Sequence, residues 1–186
     1  MVSRVDESLR PIPGTEQEIP CDTLILSVGL IPENELSLQA GVELDEGTRG
    51  PVVDEHLQTT VPGIFAAGNV LHVHDLVDFV SLEAEKLASA VGIYLREGLP
   101  AAAIPLETDG SLCQLVPQRI TGREEVQLSF RPARPGRDGT LQLWQDGVLL
   151  AEKRVAKAIP AEMEQLTLKA AQLRSQNPVK VVMSCD

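Results

Sequence analysis

The apolar pattern of this 186-residue chain changes period once, near residue 104, and that change limits the folds open to it. Before it, short apolar runs such as "TLILSVGL" (23–30) and "GIFAAGNV" (63–70) each read as a buried strand, and one helical stretch follows them. After it, apolar residues recur at every second position: Val126, Leu128 and Phe130, then Leu141 and Leu143, then Val148 and Leu150. That is the period of a sheet with one face on a core. "PAEMEQLTL" and "PVKVVMS" add two strands, and Asp146 and Gly147 suit a tight hairpin turn. The prediction is an α+β chain: an α/β region over 1–103, the "EGLPAAAIP" linker between its prolines, and a small antiparallel β-sandwich or barrel over 104–186.

Between Asp78 and Arg96, Leu82, Leu87, Ala90, Val91, Tyr94 and Leu95 recur at roughly helical spacing, with Glu83, Glu85 and Lys86 on the other side. Asp78 or Ser81 is placed to cap this helix. Sixteen Lys plus Arg against 27 Asp plus Glu leave a net charge of −11, which repels phosphate backbones and anionic lipid surfaces. Nucleic acid and membrane are therefore not expected partners, and without a signal-like or spanning segment the expected location is cytoplasmic. Cys21, Cys113 and Cys185 form no CxxC pair and read as reduced, minor thiols, with Cys185 exposed at a strand end.

The most informative stretch is "TTVPGIFAAGNVLHVHD", 59–75. A turn through Val61, Pro62 and Gly63 leads to side chains no larger than methyl at Ala66 and Ala67 and none at Gly68. Such a place lets a bulky ligand lie against the backbone, with Asn69 offering a short polar group, or it lets the chain pack tightly on a helix. Residue chemistry alone leaves both open. His72, His74 and Asp75 leave three readings: two imidazoles as metal ligands, an acid or base beside a cofactor, or a polar loop. No third metal ligand is evident from spacing, so no metal is expected. Arg131, Arg134 and Arg137 read as a solvated basic turn, or as a patch for an acidic partner, and Trp144 reads as core.

"CDTLILSVGLIPENEL", followed by "GVELDEGTRGPVVDEHLQTTVPGIFAAGNV" and a helix, resembles the carboxy-terminal half of FAD-dependent pyridine nucleotide-disulfide oxidoreductases, in particular the NAD(FAD)-dependent dehydrogenases related to thioredoxin reductase. The resemblance covers roughly the first 100 residues and implies a partial FAD/NAD(P)-binding, Rossmann-like region. It places Thr59 or Thr60 at the signature turn, Gly68 against the flavin ribityl chain, and Asn69 where the family has aspartate. Asparagine can still accept a hydroxyl hydrogen bond but lacks the charge that strengthens it. Phe79, Val80 and Ser81 would face the flavin, and Gly29 would lie at the crossover between domains.

The chain departs from that family in two respects: it has no GxGxxG turn and no redox-active cysteine pair. The expectation is the carboxy-terminal part of a flavoprotein that uses FAD and NAD(P)H, with FAD held weakly or not at all by residues 1–186 alone. Its partner would be the remainder of the flavoprotein or a partner subunit, and a homo-oligomer is compatible. The competing reading is a non-catalytic assembly module whose β-rich part docks a partner subunit. No residue is assigned a catalytic role.

Overall fold

In a computed structural model, residues 1–186 are described except Glu7, Leu9, Val28 and Asp186. The chain divides into two compact units, Met1–Leu30 and Ile31–Asp186. In the first, the backbone bridges Val2 to Gln17 and Val5 to Pro11, and Asp6 closes a turn by accepting from the amides of Ser8 and Arg10.

The second unit opens with α1 (Glu35–Gln39), continues through irregular turns, and reaches the long helix α2 (Val77–Glu97). Eight strands follow: β1 (Ile104–Thr108), β2 (Leu112–Val116), β3 (Arg119–Ile120), β4 (Val126–Pro132), β5 (Gly136–Gln145), β6 (Val148–Ala158), β7 (Glu164–Leu168) and β8 (Val179–Ser184). They form a five-stranded sheet in the order β3-β1-β8-β5-β6 and a three-stranded sheet in the order β2-β4-β7. Among the described residues neither closes into a barrel. The sheets are not wholly antiparallel either, because β1 runs parallel to β8, with Leu106 opposite Val179 and Thr108 opposite Val181.

One apolar cluster joins both sheets, drawing Leu128 and Phe130 from β4, Leu141 and Leu143 from β5, and Val179 and Val181 from β8. These are the period-two positions, and burying each relative to water contributes about 1.5–3 kcal/mol. Asp146 and Gly147 join β5 to β6 with φ of 52° and 76°, the left-handed pair that a two-residue hairpin turn requires. Val148 and Leu150 are only partly buried, and so is Trp144, whose indole Nε1 donates to Gln142 at 3.1 Å. The tryptophan therefore belongs to the flank of the sheet rather than to its core.

Two apolar runs differ from expectation. The 23–30 stretch forms no strand among its described residues, and Leu24, Ile25 and Leu26 are 74%, 86% and 70% exposed. Val28 lies outside the described residues. A strand exists only through hydrogen bonds to a neighbour, and no described segment supplies one here. The 63–70 stretch has a single bridge, Gln58 to Phe65, before turning into a short 3-10 helix at Gly68–Val70.

Helix α2 runs one residue beyond the expected range at each end. Gly98 ends it by donating to the Tyr94 carbonyl, with φ 75° and ψ 176°, a backbone conformation open mainly to glycine. Its amino end has no side-chain cap: Leu76 holds that position, Asp78 sits in the first turn, and Ser81 Oγ donates back to Val77 O. Only Ala90 is fully buried, while Leu82 and Leu95 face solvent. Polar side chains tie the residues before 104 to the strands after it. Gln118 accepts from the Val53 amide at 2.9 Å and donates to Leu115 O, and the buried Glu55 carboxylate accepts from both the amide and hydroxyl of Thr121.

Candidate functional site

The turn before α2 is assembled from small and bonded residues. The Thr59 amide donates to Ile64 O and the Ile64 amide to Val61 O around Val61–Gly63, the Ala66 amide donates to Leu57 O, and Ala66 is buried. Gly68 then takes φ 73°, a conformation that costs a residue with a Cβ roughly 1–2 kcal/mol. The glycine is buried, and a Cβ there would meet Val80 Cγ1 at 3.4 Å. Two backbone clamps hold this turn. Asn34 Nδ2 donates to both Arg49 O (3.1 Å) and Val70 O (2.9 Å), and Gly50 lies so close to Leu71 that a Cβ would sit 1.8 Å from its carbonyl oxygen.

The residues expected to face a flavin are distributed as follows. Asn69 is exposed, and its Oδ1 accepts from the His74 amide at 3.2 Å, closing the loop that leads to α2. Val80 packs beside Gly68, Phe79 is 37% exposed in the first turn of the helix, and Ser81, two residues on, is exposed. Gly29, φ 89°, stands in open space at the end of the Met1–Leu30 unit, whereas the other five belong to the second unit. The Gly68 amide is already engaged: it donates to Glu83 Oε2 at 2.5 Å.

Glu83 is the residue that sequence reasoning missed. Placed on the second turn of α2, it brings Oε1 to 2.8 Å from His72 Nε2 and 3.5 Å from His74 Nε2. Burial pushes its carboxyl up, but the hydrogen bonds to His72 and His74, the charge of His72 and the Gly68 amide outweigh that and hold it at about 2. The two imidazole rings lie tilted at 56° with centroids 4.3 Å apart. A carboxylate on the polar side of a predicted helix gave no local sign that it would turn inward.

These three residues line a pocket of about 180 Å³ whose other walls include Asp54, Phe79, Gln127 and Met163. It is smaller than the roughly 300–1,000 Å³ of sites that enclose a drug-sized ligand, so it does not enclose a dinucleotide. Asp54 is buried on this wall, where desolvation raises its carboxyl above the usual range despite hydrogen bonds from the Gln58 and His56 amides.

Arg131 corrects the expectation of a solvated basic turn. Arg134 and Arg137 are exposed, but Arg131 is only 6% exposed. It pairs with the Asp75 carboxylate and donates to Val73 O at 2.9 Å, to Gln114 Oε1 at 2.9 Å and to Ala161 O. Asp75 Oδ2 in turn accepts from the Met163 amide at 2.7 Å. Asp75 therefore fastens the His72–Asp75 loop to β4 and the segment before β7, instead of joining the two histidines.

Residues 1–91 match the family model for pyridine nucleotide-disulphide oxidoreductases. The chain is 35% identical over 105 residues to the NADP(+)-dependent formate dehydrogenase subunit beta of Moorella thermoacetica, covering 55% of this chain and 14% of that protein. It is 42% identical over 70 residues to thioredoxin reductase of Listeria monocytogenes, covering 38% and 19%. It is 46% identical over 59 residues to mitochondrial dihydrolipoyl dehydrogenase of Caenorhabditis elegans, covering 31% and 12%. The chain thus spans less than a fifth of the length of each of these relatives. No solved structure matches. The family model and these relatives' names point to one class, the pyridine nucleotide-disulphide oxidoreductases. The likeness to the pyridine nucleotide-disulphide oxidoreductase family rests on residues 1–91, just under half of the chain.

Proposed function

We propose that the chain is the carboxy-terminal part of a flavin-dependent NAD(P)H oxidoreductase, contributing the turn and helix that face the ribityl chain and isoalloxazine of FAD. The observation that carries this reading is the Ala66–Gly68 turn ahead of α2, within the family-matched residues: a left-handed glycine where a Cβ would meet only Val80, an exposed Asn69, and a Phe79 that is 37% exposed. Asn69 would accept from a ribityl hydroxyl, and Val80, Phe79 and Ser81 would lie along the ring. Bound there, the flavin supplies hydride transfer between NAD(P)H and an acceptor.

The same residues limit how firmly a flavin could be held. The Gly68 amide is committed to Glu83, and the chain has no GxGxxG turn to cradle a pyrophosphate. Pyrophosphate recognition would come from polypeptide outside residues 1–186, from the rest of the same flavoprotein or from a partner subunit. The exposed apolar run at Leu24–Leu26 supports this, since such a run suits a strand of a sheet covered on both faces.

Two observations test the reading. The purified chain should emerge from gel filtration colourless after incubation with FAD. The coding sequence upstream of residue 1 should continue in frame through two GxGxxG turns. A flavin band that survives gel filtration would instead make the chain an autonomous flavoprotein, and an unrelated upstream region would favour a separate assembly module.

A further inference from the structure

We propose that His72, His74 and Glu83 form a binding site for one zinc-class divalent ion, with a coordination position open to the adjoining pocket. Two imidazoles and one carboxylate are a donor set that zinc accepts in sites that keep a fourth position for water or a small ligand. The three donors lie within 4.8 Å of one another. In a tetrahedral site with ligands at 2.0–2.2 Å, neighbouring donor atoms stand about 3.3–3.5 Å apart. The distance from Glu83 Oε1 to His74 Nε2, 3.5 Å, matches that spacing, and the 2.8 Å to His72 Nε2 would have to lengthen by about half an ångström to admit an ion.

The surroundings favour an ion over a simple hydrogen-bonded trio. A single carboxylate oxygen faces two imidazoles whose side chains are 2% and 6% exposed. The second carboxylate oxygen is held by the Gly68 amide, which orients Oε1 toward the histidines as an outer-shell hydrogen bond does for a metal-bound carboxylate. Each ring leaves a buried Nδ1 without a partner, which lowers the affinity, because outer-shell partners of this kind are each worth about 10–100-fold. The three residues line the pocket of about 180 Å³, which has room for water or a small anion on the fourth position and a cation, Lys86, on its wall.

A second group, Asp54, Glu55 and His56, has only one imidazole, and its carboxylates and His56 Nε2 are taken up by other partners, although His56 Nδ1 is unpartnered here too. Asp54 accepts two amides, both Glu55 oxygens bond Thr121, and His56 Nε2 pairs with Glu124 at 2.8 Å. It serves as the control. The test is calorimetric titration of chelator-treated full chain with zinc sulfate in millimolar magnesium, which occupies non-specific acidic sites. One ion per chain is expected, with affinity lowered at least ~10-fold by His72→Ala, His74→Ala and Glu83→Gln and unchanged by His56→Ala. Cobalt(II) should give a visible ligand-field spectrum without the thiolate charge-transfer band, which reports the ligands independently of whether any one variant folds. No zinc binding above the magnesium background overturns the proposal. So does equal binding by the folded triad variants, or a thiolate band implicating a cysteine. Flavin plays no part in these measurements, so their outcome is separate from that of the flavoprotein reading.

Discussion

Replacing Asp75 by alanine removes the carboxylate from a guanidinium that has almost no access to water. Arg131 has a side chain 8% exposed and Asp75 one that is 29% exposed. Stripping one partner from a buried ion pair typically costs about 3–5 kcal/mol, because the other charge is left uncompensated. Water can reach this pair from the Asp75 side, and Arg131 keeps its bonds to Val73 O, Gln114 Oε1 and Ala161 O, so the expected loss is about 2–3 kcal/mol. At roughly 2–4 °C per kcal/mol for a chain of this size, the melting midpoint should fall by about 4–12 °C. Chemical denaturation followed by the fluorescence of Trp144, the single tryptophan and part of β5, measures the loss in the unit concerned. Arg131→Met removes the buried charge, so the double variant should be more stable than the sum of the two single losses by at least about 1.5 kcal/mol. A loss for Asp75→Ala below about 0.5 kcal/mol, or strict additivity in the cycle, would refute the argument that this pair is buried and coupled.

Three further substitutions probe the turn and its walls. Gly50→Ala places a Cβ 1.8 Å from Leu71 O, which the backbone can relieve only by moving about 1 Å or more; a loss of about 3 kcal/mol or more in chemical denaturation is expected, and a neutral effect would contradict the close approach. Gly68→Ala introduces left-handed strain of roughly 1–2 kcal/mol without a steric clash in the free chain. In the longer flavoprotein it should lower flavin retention more than ~10-fold, while an effect limited to stability would remove Gly68 from the cofactor surface. Asp54→Asn keeps the acceptor for the His56 and Gln58 amides and removes a carboxylate that desolvation disfavours. Because the folded carboxyl titrates above its ordinary 3.8, ionisation opposes folding above the raised value, and the opposition disappears as pH falls through that value toward 3.8. The asparagine variant should therefore be as stable as the parent or up to ~1 kcal/mol more stable at pH 7 and lose that advantage toward pH 4, as denaturation at both pH values can show. A relative stability that moves the other way would contradict it.

The parts of the fold that were legible in the sequence are those whose partners are local. Val126, Leu128 and Phe130 alternate because β4 has one buried face, and Asp146–Gly147 sits where the backbone must be left-handed. Other features depend on residues far away in the chain. Nothing near Leu106 states that β1 will run parallel to Val179–Ser184, and the apolar residues at 23–30 predict a strand only if neighbours exist to pair with them. At the site, the small residues at 66–68 mark a close approach. The inward turn of Glu83 and the burial of Arg131 arise from tertiary contacts to His72 and Asp75, where a charged residue on a polar helix face or in a basic cluster ordinarily reads as solvated.

The most direct measurement is flavin occupancy after gel filtration, comparing residues 1–186 with the polypeptide that also includes the in-frame sequence preceding residue 1. The account predicts a colourless 186-residue chain and about one FAD per longer polypeptide. Stoichiometric flavin on residues 1–186, or none on the longer polypeptide, would contradict it.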